Sequence, residues 1–283
     1  VRIALAQIKT VEGDCEGNFN RLCDAVSHAA AQGAELVITP ETAIQGYPLV
    51  TTPELRQRAW EMADAIDGPR ILELRAQCRR LRIELIAGFV EPGPVAPQLY
   101  NSAAHIASDG EVRYCYRKVH CRPFESIRQD GGYIPGEEFF AAETPFRSGS
   151  FHIGTMICFD REIPESARCL RKIGAEFIAC PLACDTDAMN EVPGHADAGI
   201  ITRVRAVENE VFICVVNHAG RFNGGSFLVG PGGELIEQLG PIPEVRVVDI
   251  PLGAVRRAFH NEPLGWQGWG FRRPELAARY LAD

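Results

Sequence analysis

A chain of 283 residues, 46% hydrophobic and 23% charged, is long enough to bury a substantial core without covalent staples. Its 37 acidic against 29 basic side chains give a net charge of −8, which excludes a general binder of nucleic acid or of anionic membrane, since both need a basic surface. No run of about 18 apolar residues offers a membrane span, and the ten scattered cysteines lack the short paired spacings of a zinc site, so no metal is expected and the thiols read as reduced.

In chain order, VRIALAQIKT alternates like a strand over 2–8 and lacks the charged-then-apolar build of a signal peptide, so a cytoplasmic location is expected. From Asn18 to Gly33 the spacing predicts an amphipathic helix with Phe19, Leu22, Cys23, Val26, Ala29 and Ala30 on one face. ELVITP (35–40) is the next strand. A helical stretch from Pro53 to Leu81 is interrupted at Asp67-Gly68-Pro69, a turn signal, and ELIAGFVE (84–91) is again a strand. Residues 99–108 and 111–120 form a hairpin across Asp109-Gly110, the favoured two-residue turn. HIGTMIC (152–158) is strand-like and Glu165 to Ile173 helical. EFIACP (176–181) and VFICVVN (211–217) are buried strands flanking a helix over Gly199–Asn209. A last hairpin turns at Pro231-Gly232-Gly233, EVRVVDI adds an edge strand, and the tail from Ala258 is aromatic and Pro-rich. βα units mixed with hairpins predict two sheets covered by helices.

Three of these strands end on a residue able to do chemistry. Glu41 follows ELVITP; the ordinary reading is an exposed strand-end carboxylate, the chemical one a half-buried general base with a raised pKa. Lys118 shares a strand face with Tyr114 and Tyr116; it is either a snorkelling margin residue or a fixed ammonium for a developing oxyanion. Cys158 closes an apolar run and is followed at once by Phe159, Asp160, Arg161 and Glu162. A buried structural thiol is its ordinary fate, but a nucleophile presented at a sharp strand-to-helix turn gains exposure and nearby N–H donors. The helix starting near Pro164 places its positive end where it would help a thiolate. The histidines lie apart, with no metal-ligand spacing.

Glu41, Lys118 and Cys158, in that order and spacing, resemble the Glu-Lys-Cys triad of the nitrilase superfamily of carbon–nitrogen hydrolases. PETAIQGYP (40–48), YRKVH (116–120) and CFDREIPES (158–166) resemble the segments that carry its three residues. DCEGNFNRL, RVRAVENEVFICVVN (203–217) and GGSFLVGPGGELI (224–236) resemble its first-helix entry and its later segments. The resemblance covers residues 2 to about 250, and it departs in two places. Arg four residues after the cysteine is replaced by Glu162, with Arg161 one position earlier. The place of a second glutamate falls on Gln129 by counting back from Gly136, or on Glu125 if the intervening loop is longer by about four residues.

The resemblance implies an α/β fold, an αββα sandwich of two mixed sheets flanked by helices, with a hydrolase domain over 1–257. The tail over 258–283 either contacts another subunit or packs back on its own domain. It implies hydrolysis of a non-peptide C–N bond without a cofactor. Glu41 would serve as general base and acid, Lys118 with the Phe159 N–H as oxyanion donors, Cys158 as nucleophile and Glu125 as an assisting carboxylate. Tyr47, Phe159 and Asp185 would line the substrate pocket. Phe-Asp after the cysteine, where nitrile hydrolases more often have Trp-Glu, favours a small linear amide. N-carbamoyl amines or amino acids, nitriles, acyl transfer and a non-catalytic scaffold stand as alternatives. The acidic loop with Asp185, Asp187 and Glu191 is either a plain solvated loop or a feature suited to neutral or amine-bearing substrates. A homodimer or higher homo-oligomer is expected, with no nucleic-acid or membrane partner.

Overall fold

Two six-stranded sheets lie face to face with helices on their outer sides in the computed structural model, which describes residues 1–129, 131–185, 198–251 and 272–281. Sheet one contains β1 (Arg2–Gln7), β2 (Leu36–Ile38), β3 (Glu84–Pro92), β4 (Leu99–Ile106), β5 (Val112–Arg117) and β12 (Glu244–Asp249), in the order β12-β1-β2-β3-β4-β5. Sheet two contains β6 (Ala141–Phe146), β7 (Gly149–Thr155), β8 (Phe177–Pro181), β9 (Phe212–Val216), β10 (Phe227–Val229) and β11 (Leu235–Gln238), in the order β11-β10-β9-β8-β7-β6. In each sheet three central strands run parallel, β1-β2-β3 and β7-β8-β9, and the flanking strands are antiparallel. Both sheets are mixed, as the alternation of βα units and hairpins predicts.

Period-two alternation decides which side chain goes where. In β1, Ile3 and Leu5 enter the core between the sheets, while Ala4 and Ala6 face the helices. The small residues let α1 (Cys15–Ala31) and α3 (Pro69–Leu81) lie close on sheet one through Phe19, Leu22, Val26, Leu74 and Cys78. On the far side, α4 (Pro164–Lys172) and α5 (Ala198–Asn209) cover sheet two, with Ala167, Leu170 and Ala206 inward. Each fully buried aliphatic side chain contributes about 1.5–3 kcal/mol. Tyr114 adds a polar tie across the sandwich, its hydroxyl meeting the Ile153 carbonyl at 3.1 Å and Thr155 Oγ1 at 2.9 Å.

Several boundaries differ from expectation. α1 starts three residues before Asn18, because Asp14 accepts from the Gly17 N–H at 3.0 Å and caps it there. The interruption expected at 67–69 is wider: α2 (Pro53–Glu61) already stops at Glu61, and Pro69 is the first residue of α3. The apolar run 152–158 is a strand only to Thr155, and Cys158 opens a 3₁₀ turn over Cys158–Glu162. β6, AAETPF, escapes the periodicity because it is a polar edge strand containing Pro145. Of the tail, 258–271 lies outside the described residues, while α6 (Pro274–Leu281) is helical. Among the described residues no helix is long and apolar enough to cross a membrane, and all ten cysteines are free.

Candidate active site

The three strand-end residues meet at one end of the sandwich, two from sheet one and one from sheet two. Glu41 lies three residues past β2, fully buried. Its loop passes so close to β3 that a Cβ on Gly88 would sit 2.2 Å from the Pro40 carbonyl oxygen, which is why that strand position is glycine. Lys118 is the first residue after β5 and is 1% exposed, so its ammonium is fully withdrawn from water.

Cys158 comes from the end of β7 and adopts φ 47, a left-handed conformation that costs a non-glycine residue about 1–3 kcal/mol. The surroundings that sustain this strain converge on Asp160, also fully buried. Its Oδ2 accepts from the Ile157 N–H at 3.0 Å and from the Tyr116 hydroxyl at 2.6 Å, and its Oδ1 accepts from the His120 N–H at 2.8 Å. One carboxylate thus ties the turn that carries Cys158 to the segment that carries Lys118.

Around the Lys118 ammonium the geometry is closed. Nζ donates to Glu41 Oε1 at 2.8 Å and to Glu125 Oε2 at 2.9 Å. Glu41 Oε1 also accepts from Asn101 Nδ2 at 2.7 Å, whereas Glu41 Oε2 is buried with no hydrogen-bond partner. Glu125 is held further by the Tyr47 hydroxyl and by the Arg122 N–H at 2.9 Å.

These partners push the two carboxylates apart in acidity. Burial raises the pKa of Glu41 above the ordinary glutamate value; Lys118 opposes that shift and Glu125 reinforces it. Burial alone would also raise Glu125, but Lys118 and the hydrogen bonds from Tyr47 and Arg122 outweigh it and hold this carboxyl below the usual range. Burial alone would lower Lys118, yet Glu125 and Glu41 keep it well above its ordinary value and therefore charged. Burial, followed by the Glu41 charge, raises the Cys158 thiol well above the cysteine norm. Burial and neighbouring charge thus favour the protonated forms of the Cys158 thiol, the Lys118 amine and the Glu41 carboxyl, and the charged form of Glu125.

Two expectations about Cys158 are corrected here. It is 2% exposed, buried where presentation to solvent was expected, and its thiol is shifted upward, against the expected help from the Pro164 helix end. Desolvation inside the sandwich is the largest cause of the upward shift. Likewise Glu41 is wholly rather than half buried.

Of the remaining candidates, Glu125 and Tyr47 join the hydrogen bonds around Lys118. Glu125 stands against Lys118, while Gln129 lies exposed in the 3₁₀ turn Ile127–Gln129, so the longer-loop alignment is the one that brings a carboxylate to the ammonium. Tyr47 is buried on Glu125. Phe159 is half-buried, with the Arg122 guanidinium 5.3 Å above its ring. Asp185 accepts from Asn223 Nδ2 at 3.0 Å; Asp187 and Glu191 lie outside the described residues. The shifted arginine reorders the local ion pairs: Arg122 Nη2 takes Glu162 Oε1 at 3.1 Å, and Arg161 Nη2 stands 3.9 Å from it. Arg161 is itself buried, with Nε and Nη1 unpartnered.

Asn101 and His218 are neighbours of Glu41 that the sequence reading did not single out. A signal for the first exists, since Asn101 shares a strand face with inward-facing Ala103. Among the described residues no group of three or more His, Cys, Asp or Glu side chains is arranged to hold a metal.

Known proteins resemble this chain over nearly its whole length. Residues 2–258 match the carbon–nitrogen hydrolase family. An (R)-stereoselective amidase from Pseudomonas sp. is 28% identical over 264 residues, covering 91% of this chain and 88% of that protein. The omega-amidase NIT2 of Homo sapiens is 28% identical over 264 residues, covering 89% of this chain and 88% of the relative. The solved amidase from Nesterenkonia sp. AN1 superposes with a TM-score of 0.78 at 30% identity, over 99% of this chain and 100% of its own. A Glu-to-Gln mutant of that amidase shows covalent addition of the acetamide moiety of fluoroacetamide at its active-site cysteine. The chain belongs to the carbon–nitrogen hydrolase family.

Proposed function

We propose that this carbon–nitrogen hydrolase cleaves small linear amides through a thioester on Cys158, releasing ammonia and a carboxylic acid. The observation that carries the reading is the asymmetry of Glu41: Asn101 and Lys118 hold Oε1, and Oε2 is left free in a buried site. A base of raised proton affinity beside a neutral thiol suits proton transfer concerted with attack. The Cys158 proton passes to Glu41 as Sγ bonds to the amide carbon. The carbonyl π electrons move to oxygen, and Lys118 Nζ with the Phe159 N–H stabilises that oxyanion. One such donor is worth about 10²–10³ in kcat. Glu41 returns the proton to the nitrogen, the C–N bond breaks and ammonia leaves. A water then gives its proton to Glu41 and attacks the thioester, and on collapse the sulfur leaves and regains the proton. Glu125 keeps Lys118 charged and in place throughout. The amidase relatives support the amide as substrate class.

A second reading, an N-carbamoyl amino-acid amidohydrolase, is favoured by Arg161. Its guanidinium is near enough to Cys158 to favour the thiolate, and its two unpartnered nitrogens are suited to a substrate carboxylate. The acidic loop points the other way, but beyond Asp185 it lies outside the described residues. The test is ammonia release from short aliphatic amides, ω-amides and N-carbamoyl compounds by wild type and Cys158→Ala. Activity on amides that vanishes in the variant supports the first reading. Carbon dioxide released with the ammonia, and a KM for carboxylate-bearing substrates alone raised in Arg161→Met, would move the assignment to the second. Activity surviving in Cys158→Ala would sink both.

The proposal extends to the setting of the enzyme. Ten free thiols suit a reducing compartment such as the cytoplasm. Ile200, Val204 and Val207, exposed at helical spacing on α5, supply an apolar face for self-association, which sedimentation of the purified chain would detect. The division into a hydrolase domain over 1–257 and a tail over 258–283 that meets a neighbouring subunit belongs to the same proposal.

A further inference from the structure

Glu41 belongs to sheet one by its strand, but its main chain is fastened to sheet two. Its N–H donates to the carbonyl of Leu182, just past β8, at 3.3 Å, and its carbonyl meets Nε2 of His218, just past β9, at 2.8 Å. A carbonyl oxygen only accepts, so Nε2 carries the proton and Nδ1 is the acceptor. Thr10 Oγ1, from the loop after β1, lies 2.6 Å from Nδ1 and donates to it. His218 is fully buried, and burial pulls its pKa down to about 3, so the ring is a neutral donor of one fixed tautomer.

The need for this donor is local. Thr42, the next residue, sits at φ 44, a turn that aims the chain back on itself and leaves the Glu41 carbonyl buried away from any strand ladder. Without His218 that carbonyl has no partner, and the turn is free to relax toward an unstrained conformation. Relaxation would move the base relative to Cys158, whose turn is held separately by Asp160.

We propose that His218 is a positioning residue for the hydrolysis: its Nε2–H bond to the Glu41 carbonyl fixes the base supplied by one sheet at the reach of the nucleophile supplied by the other, and Thr10 holds the ring for that bond. The proposal rests on Glu41 being the base. His218→Leu keeps bulk and removes the donor, whereas His218→Gln restores an amide N–H close to the position of Nε2.

The measurement is kcat and KM for ammonia release from the best amide of the panel, with thermal unfolding as the check on folding. His218→Leu should lose about 10²-fold in kcat with KM changed by less than about threefold, because the damage is to alignment and not to substrate contact. His218→Gln should recover most of that loss. Should His218→Leu fail to fold, Thr10→Val, which leaves the ring but frees its orientation, should still lower kcat by about 5–10-fold. A folded His218→Leu with wild-type kcat overturns the proposal. So does equal impairment by Leu and Gln, which would mark a packing role, or, in the fallback, a Thr10→Val enzyme of wild-type kcat. Glu41→Gln, assayed alongside, separates the two levels. If it is inactive while His218→Leu is unimpaired, the positioning role alone is wrong; if it is active, the base assignment falls and takes the proposal with it.

Discussion

Replacing Glu125 by Gln tests whether the second carboxylate sets the basicity of the first. The side chains are isosteric, and Gln can orient Oε1 to accept from Lys118 and the Arg122 N–H while its amide donates to the Tyr47 oxygen, so each partner of Glu125 keeps a hydrogen bond. What disappears is one negative charge. Glu41 Oε1 and Glu125 Oε2 touch the same ammonium nitrogen at 2.8 and 2.9 Å and are therefore less than about 6 Å apart. At an effective dielectric of about 20, two unit charges at that distance repel by about 3 kcal/mol. That repulsion is one of the causes that raise Glu41, so its removal must lower the Glu41 pKa. The acid limb of the kcat/KM profile, set by Glu41 if it is the base, should move down in the variant. A base weakened in this way should cost kcat about 10–100-fold at neutral pH. Ammonia release followed from pH 4 to 9 reads both quantities. An acid limb that stays put, or moves up, would refute the electrostatic division of labour between the two glutamates.

Two further predictions address the scaffold. Asp160→Asn leaves at least one of the Ile157 N–H, Tyr116 hydroxyl and His120 N–H without its acceptor, so denaturant unfolding should show a loss of about 1–3 kcal/mol, with kcat falling as the Cys158 turn relaxes. Glu84 is buried against His105 Nε2 (3.0 Å), Arg113 Nη2 (3.1 Å) and the Ser108 N–H (2.9 Å), and its removal in Glu84→Ala should cost about 3–5 kcal/mol at pH 7. Burial alone would raise Glu84, but these partners hold it at about 2, below its unfolded value of 4.5. Its stabilisation is therefore complete above about pH 4.5 and lost as pH falls through about 2, and the gap between variant and wild type should close over that range.

How far the sequence discloses this site depends on what kind of signal each residue carries. Glu41, Lys118 and Cys158 are each ambiguous alone at the end of a strand, and become legible together because the motifs around them occur in order. The layered fold is legible from pattern: alternation in β1 and the stripe on α1 point to two faces each. Glu125 and Gln129 cannot be separated by counting, since the choice turns on how the loop up to Gly131 folds back. A Cβ on that glycine would lie 2.1 Å from the Glu125 carbonyl oxygen, a closeness no spacing rule foresees. His218 acts on a main-chain carbonyl across the sandwich, a contact 177 positions away in sequence. Burial of Cys158 is likewise a collective property, because it depends on how closely the two sheets dock around the turn.

That burial bears on how the protein ages. Peroxide attacks thiolates, and its first product, a sulfenic acid, needs room and a second thiol or a reductant to be repaired. Cys158, enclosed and with its thiol pushed up by burial, offers an oxidant little to attack. Cys169, exposed on α4, meets it first. Oxidative damage should accumulate on the surface of the resting enzyme while the reactive thiol survives.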